Sequence, residues 1–267
     1  MSRNLVITSG KGGVGKTTTT ANLGMSLARL GYKVALIDAD VGLRNLDLLL
    51  GLENRVIYTA LEVLDGECDV KQALIRDKRQ SNLAMLSISK TRQKVELTGD
   101  QMIELVEGIQ KLNYDFILLD CPAGIDEGFL NAIAAADEAI VVTTPEITSI
   151  RDADRVIGLL ESSGIHDIRL MVNRVRPDMV KSNDMMSVRD VQELLSIPLV
   201  GAIPEDETVI ISTNRGEPLV LNKTLTLSGL AFENAARRLQ GQRVDFIDLE
   251  TPYKTVFQRF QEFLRTP

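Results

Sequence analysis

Histidine occurs once in this sequence, cysteine twice and tryptophan not at all. Cys68 and Cys121 are too few for a zinc or disulfide framework, a pattern that fits a reducing compartment. His166, standing alone, is expected in a loop and not at a catalytic centre. No apolar run approaches the ~20 residues of a membrane-spanning helix. The first residues enter an apolar run without the basic and then apolar segments of a secretory leader, so the expected location is the cytoplasm or a plastid stroma. An excess of positive charge is missing too: 30 Lys and Arg stand against 37 Asp and Glu, a net charge of -7. Neutralising nucleic-acid phosphates takes a basic surface, so no specific nucleic acid is expected as a partner.

What is present is a chain of 267 residues, 44% of them hydrophobic, enough for one sizeable core. Short apolar, β-branched runs recur at 5–8, 33–38, 83–88, 116–120, 139–143, 168–172 and 199–203. Amphipathic stretches lie between them at 16–30, 59–64, 99–112, 128–136, 149–162, 187–195 and 226–239. Strands that alternate with helices in this way predict an α/β fold, a doubly wound and mostly parallel sheet with helices on both faces. Residues 1–240 are read as that domain, 241–252 as a linker and 253–267 as a separate C-terminal element.

The first such strand, loop and helix carry Gly10-Lys11-Gly12-Gly13-Val14-Gly15-Lys16-Thr17, which fits the phosphate-loop pattern G-x-x-x-x-G-K-[ST]. Glycines let successive backbone N–H groups close around phosphate oxygens, and the following helix N-terminus favours an anion. Two further strands end in acids: Val34-Ala35-Leu36-Ile37 leads into Asp38-Ala39-Asp40, and Phe116-Ile117-Leu118-Leu119 into Asp120. An aspartate at the end of a buried strand, with Thr17 opposite, is the usual means by which a phosphate-loop protein holds Mg²⁺. A second reading has Asp38 or Asp40 capping the next helix.

Lys11 is not required by the general pattern. With Asp38-Ala39-Asp40 it resembles the deviant Walker A (MinD/ParA) family of ATPases, whose loop reads K-G-G-x-G-K-[ST]. The segments 41–47, 120–125, 149–155 and 203–206 resemble the branch of that family that positions the division septum of bacteria and plastids. The likeness runs from Met1 to about Leu239. It implies ATP and Mg²⁺ as ligands, with Gly10, Gly12, Gly13, Val14, Gly15, Lys16, Thr17 and Thr18 around the phosphates. It further implies Thr17 on the metal with Asp38 and Asp120 in its outer shell, Asp40 orienting the attacking water, and Lys11 reaching the nucleotide of a second copy in a homodimer. Asn173 and Arg174, with Pro204, Glu205 and Asp206, are expected at the adenine. Arg44, Asn45 and Asp152 are expected on the surface that meets a MinC-like division inhibitor and a MinE-like activator. The runner-up, of a different functional class though it shares the loop and the dimer, is a DNA-partitioning ATPase, which would need a basic surface; a third, an electron-transfer ATPase, would need cysteines for a shared iron–sulfur cluster. Composition disfavours both.

In the last fifteen residues Val256, Phe257, Phe260, Phe263 and Leu264 fall at i, i+1, i+4, i+7 and i+8, one face of a helix, while Lys254, Arg259 and Arg265 outnumber Glu262. A basic amphipathic helix with aromatic anchors suits an anionic membrane surface, the alternative being a face packed on the core. Burying five such side chains gains roughly 1.5–3 kcal/mol each, and ordering about eleven residues costs roughly 1–2 kcal/mol each. The two nearly cancel, so one tail binds weakly and two tails on a dimer gain from effective concentration.

Overall fold

The computed structural model describes residues 2–40, 45–89 and 97–249. Arg44 of the expected partner surface and Val256, Phe257, Phe260, Phe263 and Leu264 of the expected membrane helix lie outside the described residues.

Eight strands, β1 (Arg3–Thr8), β2 (Val34–Asp38), β3 (Ile75–Arg76), β4 (Leu83–Ser87), β5 (Phe116–Asp120), β6 (Glu138–Thr143), β7 (Asp167–Val175) and β8 (Leu199–Pro204), form one sheet. Their order is β3-β4-β2-β5-β1-β6-β7-β8, parallel throughout except for β3, which pairs antiparallel with β4 at one edge. The helices are α1 (Lys16–Arg29), α2 (Leu46–Leu49), α3 (Ala60–Leu64), α4 (Val70–Ala73), α5 (Gly99–Gln110) and α6 (Glu127–Ile133), followed by α7 (Ile147–Ser162), α8 (Pro177–Lys181), α9 (Val188–Leu195), α10 (Thr208–Asn214) and α11 (Leu227–Leu239). The fold is the expected doubly wound α/β sheet of a phosphate-loop nucleotide-binding protein.

Strand alternation divides the core in two. Val6, Ile37, Leu119 and Val141 face one side, where α5, α6, α7 and α9 cover them; Leu5, Leu36, Leu118 and Ile140 face the other, under α1 and α11. Strands buried on both faces carry apolar residues at nearly every position, which is why β2 reads Val-Ala-Leu-Ile-Asp without a break. Side chains mark where several helices begin. Thr98 and Ser187 form capping boxes with Gln101 and Asp190, and the Thr226 hydroxyl accepts from the Gly229 N–H.

The stretch read as a linker lies against the domain over 241–249. The Arg238 guanidinium donates to the carbonyls of Val244 and Asp245 and stacks 3.7 Å from the centre of the Phe246 ring, while Leu249 is buried in the α7 and α9 layer. Among the described residues no helix is long and apolar enough to cross a membrane.

Candidate functional site

The carboxyl ends of β1, β2 and β5 meet beneath the phosphate loop. Parallel pairing sets Asp38 of β2 directly beside Asp120 of β5, and Ile7 of β1 on the other side of Asp120. Three strands thus deliver two carboxylates to the first turn of α1. In an open α/β sheet this is where a ligand binds, at the strand ends where the chain order reverses.

Gly15 enters α1 with φ of +99°, in the left-handed region, and a Cβ there would stand 2.2 Å from Nδ2 of Asn173. Only glycine satisfies both demands. The Asn173 amide sits so close because it donates to the Val14 carbonyl at 2.7 Å, which ties β7 to the loop. Lys16 is 8% exposed. Gly10 rests against the backbone of Asp152 on α7, so the phosphate loop touches the helix expected to face regulators. At the rim Lys11 Nζ lies 3.6 Å from Glu146, with both side chains about half exposed.

Asp38 and Asp120 are 2% and 1% exposed. Burial pushes the Asp120 carboxyl up to about 6, against the opposing pull of hydrogen bonds from Thr17 and Thr20 and of the Lys16 charge. The same burial, and then the neighbouring Asp120 charge, hold Asp38 well above its ordinary value despite the Leu46 N–H. Thr20 Oγ1 donates to Asp120 Oδ1 at 2.9 Å, whereas Asp120 Oδ2 is buried without a partner. Asp38 Oδ2 accepts from the Leu46 N–H at 3.1 Å and Oδ1 from the Asp40 N–H at 3.3 Å. Asp38 thus lies beside Asp120 and also holds the first N–H of α2, from eight residues earlier in the chain.

An orphaned carboxylate oxygen beside a second buried carboxylate and a threonine hydroxyl is a hard-oxygen environment that fits a hydrated Mg²⁺ ion. Among the described residues there is no cluster of three or more His, Cys, Asp or Glu that could hold a metal ion. Cys121, next to Asp120, is buried and its thiol pushed up to about 12 by desolvation, which keeps it a protonated packing residue.

Beyond Gly15 and Thr18 a cavity of about 620 Å³ opens between the end of β7, the Pro204–Glu207 turn and α10. β7 slips register against β8 after Val172, and Arg174 takes a φ of +55°. This irregularity turns Asn173 and Arg174 toward the cavity, a usual service of a bulge beside a site. Glu205 is fixed by its N–H on the Val175 carbonyl at 2.9 Å, and Ser228 holds the Pro204 carbonyl at 2.9 Å. Asp206 turns inward instead, accepting from the N–H of Thr208 at 2.8 Å and from its hydroxyl at 2.5 Å. Burial works against its charge, but hydroxyls of Thr208, Thr226 and Ser228 outweigh it and hold the carboxyl below its usual range. Asp206 thus shapes the turn while lining the cavity together with Glu205 and Glu207.

Sequence reasoning missed Thr20, Glu146 and the α10 wall. Thr20 lies four residues past Lys16, one turn on the same helix face, so helical spacing could have found it. Nothing local marks Glu146.

The CobQ/CobB/MinD/ParA nucleotide binding domain family matches residues 5–219. A putative septum site-determining protein MinD from Mesostigma viride is 73% identical over 262 residues, 98% of this chain and 92% of that one. The chain belongs to the MinD family. Two solved members share the fold. MinD of the MinC:MinD cell division complex from Aquifex aeolicus superposes with a TM-score of 0.84 at 47% identity, over 91% of this chain and 98% of that one. MinD from Pyrococcus horikoshii, complexed with Mg-ADP, does so with a TM-score of 0.78 at 32% identity, over 90% and 96%. The chain thus has the nucleotide-binding ATPase fold of that family, and the loop, the strand-end acids and the cavity described above are its candidate nucleotide site.

Proposed function

We propose that this chain hydrolyses ATP to cycle between a free form and a membrane-bound homodimer, and that the bound form marks where the division septum is excluded. The observation that carries the reading is the Asp38–Asp120 pair, set in register under a phosphate loop whose rim exposes Lys11. A divalent cation, when bound with the triphosphate, supplies the positive charge that this pair and the phosphates lack. Thr17 offers it a hydroxyl, with Asp38 and Asp120 behind. The loop N–H groups and Lys16 hold the phosphates, Asn173, Arg174 and the Pro204–Glu207 turn hold the nucleoside, and Asp40 orients the attacking water.

Among the described residues the Lys11 ammonium pairs with Glu146 alone, in an exposed ion pair worth about 0–1 kcal/mol, so a triphosphate in a second copy competes for it readily. Two amphipathic tails brought together in that dimer would bind an anionic membrane that a single tail holds weakly. The Aquifex relative solved with MinC supports a MinC-like inhibitor as a partner. We assign to it and to a MinE-like activator the surface expected to carry Arg44, Asn45 and Asp152, the last of which lies on α7 against Gly10 of the phosphate loop.

The test is sedimentation of the full chain with anionic vesicles in ATP, in ADP, and in ATP with Phe260→Glu, alongside ATPase rates with and without vesicles. ATP alone should bring the unaltered protein down with the vesicles; equal pelleting in all three arms would overturn the reading.

A further inference from the structure

The nucleoside cavity and the acid-bearing segment meet at a third place, far along the chain from both. β3 and β4 form a hairpin whose connecting turn carries Asp77 and Arg79. The Asp77 carboxylate is fully buried and takes the Arg79 guanidinium in a two-pronged pair, Nε at 3.1 Å and Nη2 at 2.6 Å. It also accepts the Arg79 N–H at 2.7 Å and the Gln80 N–H at 3.2 Å, so the turn and the arginine are fixed together.

Held in this way, the guanidinium spends its remaining donors on two carbonyls from different parts of the chain. Nη2 reaches Leu50 at 2.6 Å, at the end of α2, and Nη1 reaches Gly216 at 2.9 Å, just beyond α10. At the same point Gly51 and Gly216 touch backbone to backbone: a Cβ on Gly216 would lie 2.7 Å from the Gly51 Cα, and both residues have positive φ. The opposite ends of these two short helices are the functional ones. α2 begins at Leu46, whose N–H is held by Asp38, and α10 begins at Thr208, held by Asp206 beneath the cavity wall.

We infer that Arg79 is a positioning residue that couples occupancy of the nucleoside cavity to α2 and to the Asp38 carboxylate that holds its first N–H, and that it does so by clamping the far ends of α2 and α10. This rests on the nucleotide reading above. Each helix is a rigid element of one to two turns anchored at both ends. A ligand that settles α10 therefore settles Leu50 through the clamp, and with it the Leu46 N–H that orients Asp38. Lysine cannot replace the arginine, because a single ammonium cannot pair with Asp77 in two-pronged fashion and still reach both carbonyls.

Hydrogen exchange on the full chain, read on peptides covering 15–20 and 45–52 with and without Mg-ADP, tests the coupling. In the unaltered protein ADP should protect both peptides. Arg79→Gln and Arg79→Lys should keep the protection at 15–20 but lose most of it at 45–52, with the KM for ATP within about threefold and kcat down about tenfold. Gly216→Ala, which drives a methyl group into Gly51 and leaves every charge in place, should do the same. Should a glutamine variant fail to fold, the lysine and Gly216→Ala proteins decide. Undiminished protection at 45–52 in the variants overturns the clamp while leaving the nucleotide reading intact; absence of protection at 15–20 in the unaltered protein overturns the nucleotide reading itself.

Discussion

Thr20→Val is the sharpest perturbation that the site allows. Valine keeps the shape of the buried side chain and removes one hydroxyl, which donates to Asp120 Oδ1 at 2.9 Å. Asp120 Oδ2 already lacks a partner, so the ionised carboxylate would be left with Thr17 and Lys16 alone. A hydrogen bond to a charged group contributes roughly 1.5–3 kcal/mol, and Thr20→Val should destabilise the ligand-free protein by about that much when Asp120 is ionised. For a domain of this size the loss corresponds to a fall of roughly 3–10 °C in Tm. The sign of the pH dependence follows from burial. Asp120 titrates at about 6 in the fold against 3.8 ordinarily, so the folded chain binds this proton more tightly and stability falls as pH rises through that window. The Thr20 hydroxyl opposes that fall by favouring the charged form. Its removal should therefore cost most near pH ~8 and little near pH ~5, where the carboxyl is protonated and can itself donate. Thermal and urea unfolding of the ligand-free protein at the two pH values measures the difference. Equal destabilisation at both, or none at either, would refute the argument that an ionised, under-solvated Asp120 lies beneath the loop.

Three further outcomes follow from the same geometry. Burial alone would raise the Glu138 carboxyl, but the Arg3 and Arg169 guanidiniums prevail and hold it below its ordinary 4.5. Its contribution is thus present above that value and lost as pH falls beneath it, so Glu138→Gln should cost roughly 1.5–3 kcal/mol near neutrality and little in acid, as read by denaturant titration. Lys11→Ala removes an exposed ion pair, so Tm should be unchanged; under the proposed roles of Asp40 and Lys11, light scattering should show ATP pairing two copies of an Asp40→Ala protein but not of one that also carries Lys11→Ala. Asn173→Ala releases the Val14 carbonyl and empties one wall of the nucleoside cavity, and calorimetry should show ADP affinity reduced about tenfold with Mg²⁺ present.

The sheet was legible because buried parallel strands have to be apolar at nearly every position, and the acids ending β2 and β5 stand out against such runs. The hairpin at the edge was not. β3 is two residues long, too short for any periodicity, and its turn reads as a solvated basic run, Arg76-Asp77-Lys78-Arg79, although Asp77 is fully buried. α10 was hidden for a different reason. Thr208-Val209-Ile210-Ile211-Ser212-Thr213 is rich in β-branched residues that favour strands, and only its seat between α2 and the Leu219–Leu221 turn makes it helical. Asn173 lines the cavity where the nucleoside was expected, but its bond to Val14 depends on the slip of β7 against β8, a long-range feature with no local signal.

The two buried acids also explain why such a site can serve as a switch. A ligand stabilises a fold by the difference between its interactions with the folded and unfolded chain. Where the empty site already carries an energetic penalty, part of the binding energy comes from relieving it. Asp38 and Asp120 are desolvated, adjacent and raised toward neutrality, which is a penalty borne by the empty site alone. Asp38 is at once a member of this pair and the cap of α2, so a change in its charge environment acts directly on the Leu46 N–H. Asp38→Asn should separate the two roles: its amide oxygen can still accept from the Leu46 N–H, the pair loses one charge, and the only bond given up among the described residues is the long 3.3 Å one from the Asp40 N–H, which the amide nitrogen cannot accept. The variant should thus gain stability when empty and gain less on adding Mg-ADP than the unaltered protein does, as measured by the ligand-induced shift in Tm. An unchanged ligand-induced shift would mean that the acids do not sense the nucleotide, and that the switch resides in the phosphate loop alone.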